Sequence, residues 1–390
     1  MSRYTKRAVL ALIGVLAVAA CSNNGAVPSA RSGGPSGASQ YQPGSNATPA
    51  DNTSILKKLK KDVVIGSTVD PGNGDMGPHS ISIVQSSYGR LKQGQLVVCN
   101  FADSSGNAGK GTTIEVLNPK PGSKPSTLGQ SSDIEGCDGA ATTQRGNVCA
   151  AGFTSGLVAC FDSSGSELQS YGSPIVEPFD VADAHCVVGQ KGFCGYSAEY
   201  IFASDAKTGG IVNWSINQYG NPHETQVISG FAVNKKSGWS ALGPSGLSYT
   251  SKIDELYIAD GVNNTVVGIT HAGNLLVPNE VVVLKGGKKF RCKYNGKGDP
   301  CGQLIFSGSP LNAPEAMTVL PNGNLIVANT AGGNTLVEIN VSTGKVLATK
   351  VIDKSKSQGI FALQATGSKD SNTALYYTDI NDNSLHELEQ

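Results

Sequence analysis

From residue 62 onward the chain is written in short runs of Val, Ile, Leu, Ala and Tyr, broken by Gly, Asn, Asp, Ser and Pro. Residues 321–347, PNGNLIVANTAGGNTLVEINVSTGKVL, show the unit: apolar runs joined by turn formers, which predicts a three-stranded meander. An isolated small sheet is marginal in water, so such a unit needs neighbours. It has them. The core run Leu325-Ile326-Val327-Ala328-Asn329 is echoed by Leu96-Val97-Val98-Cys99-Asn100, Ile201-Phe202-Ala203-Ser204-Asp205, Leu256-Tyr257-Ile258-Ala259-Asp260 and Leu375-Tyr376-Tyr377-Thr378-Asp379, with a weaker copy at Val148-Cys149-Ala150-Ala151-Gly152. Successive copies begin 52, 53, 55, 69 and 50 residues apart. A period near 50 with several strands per unit predicts a β-propeller.

Each core run is preceded by a candidate innermost strand (EAMTVL at 315–320, SISIV at 80–84, GIFALQA at 359–365). It is followed by two more strands, the outermost exemplified by GKVLATKVID at 344–353 and NEVVVL at 279–284. The chain stops at Gln390 just after the third strand of the last unit, while DVVIGSTVD at 62–70 has no other partner. Pairing these two ends would close the ring and remove two exposed sheet edges. The expectation is therefore an all-β, six-bladed propeller of four-stranded blades over 62–390, with seven blades as the competing count. Residues 286–308, inside the long interval, are expected to form an inserted hairpin.

Composition fits this reading and narrows the compartment. Charged residues make up 15%, the formal net charge is zero, and Gly numbers 49, about twice its usual share. Such a balance supplies no field to attract nucleic acid. Residues 1–20 read as a signal peptide: a basic MSRYTKR, then the apolar AVLALIGVLAVAA, too short to span a bilayer comfortably. Val18-Ala19-Ala20-Cys21 resembles the lipobox of bacterial lipoproteins, which implies cleavage before Cys21 and its acylation, although Ala17-Val18-Ala19 would also serve ordinary cleavage. Cysteine parity favours the lipid: of nine cysteines, removing Cys21 leaves an even eight. Residues 21–61, rich in Ser, Gly and Pro and ending in SILKKLKK, read as a solvated tether to the membrane.

The eight remaining cysteines suggest an extracytoplasmic disulfide framework. Cys292 with Cys301 and Cys186 with Cys194 each flank a turn-forming segment. Cys149 and Cys160 lie symmetrically about a turn at Thr154-Ser155, which would leave Cys99 for Cys137. These last four admit three pairings.

The segments ELYIADGVNNTVVGITHAGNLL (255–276) and APEAMTVLPNGNLIVANTAGGNTLVEIN (313–340) resemble NHL repeats. The resemblance implies a propeller with a central channel. It does not imply one activity, because NHL-like propellers include protein- and RNA-binding modules, a peptide-amidating lyase and lactonase cousins in which a channel metal carries catalysis.

Candidate chemistry is sparse. The Asp or Asn ending the core runs (Asn100, Asp205, Asp260, Asn329, Asp379) recurs round the ring, so it reads as a turn cap and not as a site. Aligning Pro314-Glu315 with Pro78-His79 and with Glu177-Pro178 marks three residues that break the pattern where innermost strands begin: His79, Glu177 and Glu315. An imidazole and two carboxylates at one rim could bind calcium or zinc, or serve as an acid–base set. Two acidic strings, DPGNGDMG (70–77) and DINDNS (379–384), lack the EF-hand order and read as turns. No G-x-S-x-G, P-loop or H-E-x-x-H occurs. The expected role is a monomeric, lipid-anchored envelope module binding a protein, peptide or glycan. The alternative is a metal-dependent lactonase- or lyase-like enzyme.

Overall fold

The runs that alternate in sequence are buried on both sides, and this sets the architecture. A computed structural model describes residues 52–185, 199–216, 222–234, 242–355 and 357–390. Strand β1 (Lys61–Ser67) opens the ring. Blade 1 follows with β2 (Met76–Pro78), β3 (Ser82–Ile83), β4 (Leu96–Ala102), β5 (Ala108–Leu117) and β6 (Ser126–Gln130). Blade 2 holds β7 (Cys137–Thr142), β8 (Val148–Gly152), β9 (Leu157–Phe161) and β10 (Glu167–Tyr171). Blade 3 holds β11 (Pro178–His185), β12 (Glu199–Asp205), β13 (Gly210–Ile216) and β14 (Pro222–Ser229). Blade 4 begins with β15 (Leu247–Thr250), β16 (Glu255–Asp260) and β17 (Thr265–Thr270). The chain then makes β18 (Val281–Leu284) and β19 (Lys289–Cys292) before completing that blade with β20 (Cys301–Ser307). Blade 5 is β21 (Pro314–Val319), β22 (Leu325–Asn329), β23 (Thr335–Asn340) and β24 (Lys345–Val351). Blade 6 is β25 (Leu363–Thr366), β26 (Ala374–Asp379) and β27 (Ser384–Glu389). β1 supplies its outer edge, running antiparallel to β27 from Lys61 opposite Glu389 to Ser67 opposite Ser384.

Successive residues of a strand point to opposite faces, and in a propeller each face meets a different neighbour. In β22, Leu325 and Val327 join the cluster shared with blade 4, where Tyr257 and Ala259 lie. Ile326 and Ala328 join the one shared with blade 6, where Leu375 and Tyr377 lie. Six such apolar clusters fill the six gaps between blades.

Three disulfides add staples: Cys99–Cys137 from blade 1 to blade 2, Cys149–Cys160 across the β8–β9 hairpin, and Cys292–Cys301 from β19 to β20. Such bonds fit an oxidising compartment outside the cytoplasm. Cys21 and the expected Cys186–Cys194 pair lie outside the described residues. No helix among the described residues is long and apolar enough to cross a membrane.

Two expectations are corrected. Residues 281–284, expected as the outer strand of blade 4, pair in parallel with β14 and extend the blade 3 sheet together with β19. The insertion is therefore β18–β19, and β20, expected inside a 286–308 hairpin, is blade 4's own outer strand. The solvated tether also does not run to residue 61. Ile55, Leu56 and Leu59 are buried in the cluster between blades 5 and 6. Glu338 holds them there, accepting from Ser54 Oγ at 2.5 Å, Ile55 N at 3.1 Å and Leu56 N at 2.9 Å.

Candidate functional site at the channel mouth

The inner strands of blades 1, 2, 3 and 5 begin in one register. Pro78 faces Asn100, Cys137 faces Gly152, Pro178 faces Asp205 and Pro314 faces Asn329. In the last three the register then shifts by one residue, a bulge just inside the strand, and bulges re-aim side chains. The residue that follows the shared position is His79, Asp138, Phe179 or Glu315. Phe179, not Glu177, is thus the blade 3 counterpart of His79 and Glu315.

These side chains close one end of the channel. The His79 ring lies flat between Phe101 and Phe361, with centroids 4.2 and 4.1 Å away and planes within 9° and 4°. Phe153 meets Phe101 edge-on at 6.2 Å. Phe101, Phe153, Phe179, Ala206, Leu242 and Phe361 form one buried apolar cluster. Inside this plug His79 Nδ1 lies 3.0 Å from Asp138 Oδ1, with both side chains buried. Burial pushes His79 down to about 3 and Asp138 well above the usual carboxylate range. The pair is thus net neutral, with one proton between imidazole and carboxyl.

The expected ligand trio does not converge. His79 is engaged by Asp138 and its aromatic neighbours. Glu177 turns outward to Lys207 Nζ at 2.7 Å. Glu315, fully buried, accepts from Leu242 N at 3.3 Å. Among the described residues, the one set of three or more His, Cys or acidic groups with ligand atoms within 4.8 Å of one another is Asp379, Asp382 and His386 in blade 6.

The recurrent acids behave as caps. Asp205 Oδ1 accepts from Lys207 N at 2.9 Å and Thr208 N and Glu177 N at 3.2 Å, and Asp260 Oδ1 accepts from Asn263 N at 3.0 Å.

Beyond the plug lies a cavity of about 170 Å³ walled by the inner strands of all six blades, including Ser82, Thr142, Asp180, Tyr249 and Gln364. Asp180 bridges blades 3 and 4, accepting from Val181 N at 2.8 Å and Leu247 N at 2.7 Å. Burial pushes its carboxyl up to about 7 against those hydrogen bonds. Tyr249 donates to Asp254 Oδ1 at 3.0 Å, and Ser82 Oγ lies 3.0 Å from Thr142 Oγ1. His79 is the one imidazole on this wall and it is locked in the plug, while the nearby Cys99 and Cys137 are oxidised. The described wall therefore offers hydrogen bonds to a small polar solute, and no nucleophile–base pair.

Asp138 and Asp180 were missed in the sequence, and a usable signal existed for each. Aligning Pro178 with Pro78 and Pro314 exposes Phe179-Asp180 at the head of the strand. Cys137 ahead of Asp138 marks the same place in blade 2.

No family model matches the sequence, and no curated protein matches it. Solved structures do resemble it in fold. A luciferin-regenerating enzyme superposes with a TM-score of 0.51 at 11% identity, over 85% of this chain and 95% of the other. Virginiamycin B lyase from Staphylococcus aureus gives 0.47 at 15% identity, over 85% of each chain. The WD40 β-propeller domain of Doa1 gives 0.47 at 9% identity, over 84% and 97%. At these identities the likeness is one of fold.

Proposed function

We propose that this chain is a lipoprotein anchored through Cys21, whose NHL-like propeller stands in the cell envelope and binds a protein, peptide or glycan as a monomeric module. The observation that carries this reading is the plug. The imidazole and acids that a channel-rim enzyme would use are spent on sealing the mouth: His79 between two phenylalanines, Asp138 on His79, Glu315 on backbone. The three disulfides support export, and the NHL-like repeats support a ring that presents variable loops.

The test uses full-length protein made in a lipoprotein-processing bacterium. Palmitate should label the wild type and not Cys21→Ala, which should leave the membrane fraction. The purified protein should bind one class on glycan and envelope-peptide arrays saturably, and should turn over no lactone. Chelator-sensitive lactone hydrolysis by the wild type would overturn the module reading, and palmitate labelling of Cys21→Ala would overturn the anchor.

A further inference from the structure

The insertion β18–β19 breaks the charge balance of the chain. Lys and Arg together number 30, as do Asp and Glu, yet residues 281–301 hold Lys285, Lys288, Lys289, Arg291, Lys293 and Lys297 against Asp299 alone. All six cations are exposed. None of them forms an ion pair among the described residues. Lys293 Nζ rests 5.7 Å from the centre of the Tyr294 ring.

The two faces of this hairpin differ. Val281 and Val283 are buried in the cluster between blades 3 and 4, and Phe290 packs against it. The Phe290 ring lies so close on Gly302 of β20 that a Cβ at residue 302 would overlap it. Beside that contact Cys292 is bonded to Cys301. One face is thus fixed against the ring, and strand alternation turns the other outward. On the outward face Leu284 stands opposite Lys289, and Val282 opposite Arg291. Leu284 is 39% exposed. A row of aliphatic side chains therefore runs beside a row of cations, with Lys285 and Lys288 at the turn and Lys293 just beyond the strand.

Cations beside exposed aliphatic groups suit an anionic bilayer surface, where phosphates meet the charges and acyl chains meet the leucine. We propose, on the envelope location argued above, that the outward face of β18–β19 docks on the anionic headgroups of a lipid bilayer and sets how the propeller sits there. The contact is separate from the acyl anchor, because the face itself supplies it. β19 is also the last strand of its sheet, and lysines guard such edges against pairing. Guarding explains the charges but not a leucine left exposed among them.

The experiment uses the full mature chain, residues 21–390, carrying Cys21→Ala to take the acyl anchor out of the measurement. It is floated with phosphatidylglycerol vesicles and with phosphatidylcholine vesicles. Binding to phosphatidylglycerol alone, weakening as salt rises, is expected. Lys289→Glu/Arg291→Glu/Lys293→Glu should lower that affinity at least about a hundredfold. Leu284→Ser should lower it about fivefold through lost apolar contact. Lys57→Glu/Lys60→Glu, at exposed cations ahead of β1, should bind as the parent does. No preference for phosphatidylglycerol, or a triple variant that binds as the parent does, would overturn the proposal. Self-association of that variant without loss of vesicle binding would assign the edge guard instead. Vesicles displaced by soluble polygalacturonate, with Leu284→Ser as tight as the parent, would assign an acidic glycan and overturn it as well. Palmitate labelling tests the anchor and vesicle binding of the Cys21→Ala chain tests this face, so the two readings fail separately.

Discussion

Two histidine–aspartate pairs fasten this ring, and they do so in opposite electrostatic states. His79 and Asp138 link blades 1 and 2 inside the plug, at 3.0 Å, with side chains 5% and 3% exposed. His386 and Asp62 link β27 to the closing strand β1, at 3.2 Å, with side chains 10% and 40% exposed. In the plug, desolvation dominates, so the imidazole is pushed down and the carboxyl up. At the seam, burial also opposes charge on both groups. There the hydrogen bond and charge of Asp62, joined by Asp382, outweigh it and raise His386. Hydrogen bonds from His386 and Tyr377, with the charges of His386 and Lys350, likewise outweigh it and lower Asp62. Water within reach of Asp62 makes the difference. The same two residue types give a neutral pair where solvent is excluded and an ion pair where it is not.

The largest effect should come from breaking the plug pair. His79→Ala leaves the neutral Asp138 carboxyl buried without its hydrogen-bond partner and removes a ring stacked on two others, so it should cost about 3–5 kcal/mol in denaturant unfolding. Asp138→Asn keeps a hydrogen bond to the imidazole and should cost only about 1 kcal/mol. Equal losses for the two would mean that the polar contact, and not stacking, holds the mouth. Next comes the segment ahead of β1, where Glu338 shows a third way to hold a buried acid, with N–H and O–H donors and no base. Leu59→Ala empties a fully buried site and should cost about 2–5 kcal/mol. Glu338→Gln should cost about 1–2 kcal/mol through weakened hydrogen bonds. A stability unchanged by Leu59→Ala would return residues 55–59 to the tether.

These contrasts also mark what could be read beforehand. The blade period and the closure by β1 were legible because every core run is apolar on both faces, and a ring of sheets buries two faces of every strand without helices to cover them. The position of β18 was not, since Val281, Val282 and Val283 would suit the edge of either blade 3 or blade 4. Residues 54–62 misled because four lysines in SILKKLKKD drew attention from Ile55, Leu56 and Leu59, whose spacing of one and three residues makes an apolar stripe on a single turn. At the mouth, His79 and Glu315 were found because they follow a proline. Phe179 was lost by sliding that alignment one residue, to Glu177. Asp138 was lost because no proline precedes it in CDGAAT, and only Cys137 marks its place in the register.

The smallest and most discriminating effect belongs to the seam pair. His386 has its value raised from 6.5, so its stabilising contribution is complete below that value and is lost as pH rises through the folded-state pKa. Asp62 is lowered from 3.8, so its contribution is present above that value and is lost as pH falls through its folded-state pKa. The stability difference between wild type and His386→Gln should therefore be widest between 3.8 and 6.5 and narrow as pH rises above 6.5 through the folded-state pKa of His386. With Asp62 two-fifths exposed, solvent screening holds that difference to about 1 kcal/mol or less, and added salt should shrink it further. The plug pair, being neutral and dry, should give a His79→Ala penalty that salt leaves unchanged. A His386→Gln penalty equally indifferent to salt would mean that the two pairs share one electrostatic state, and that exposure at Asp62 is not what separates them.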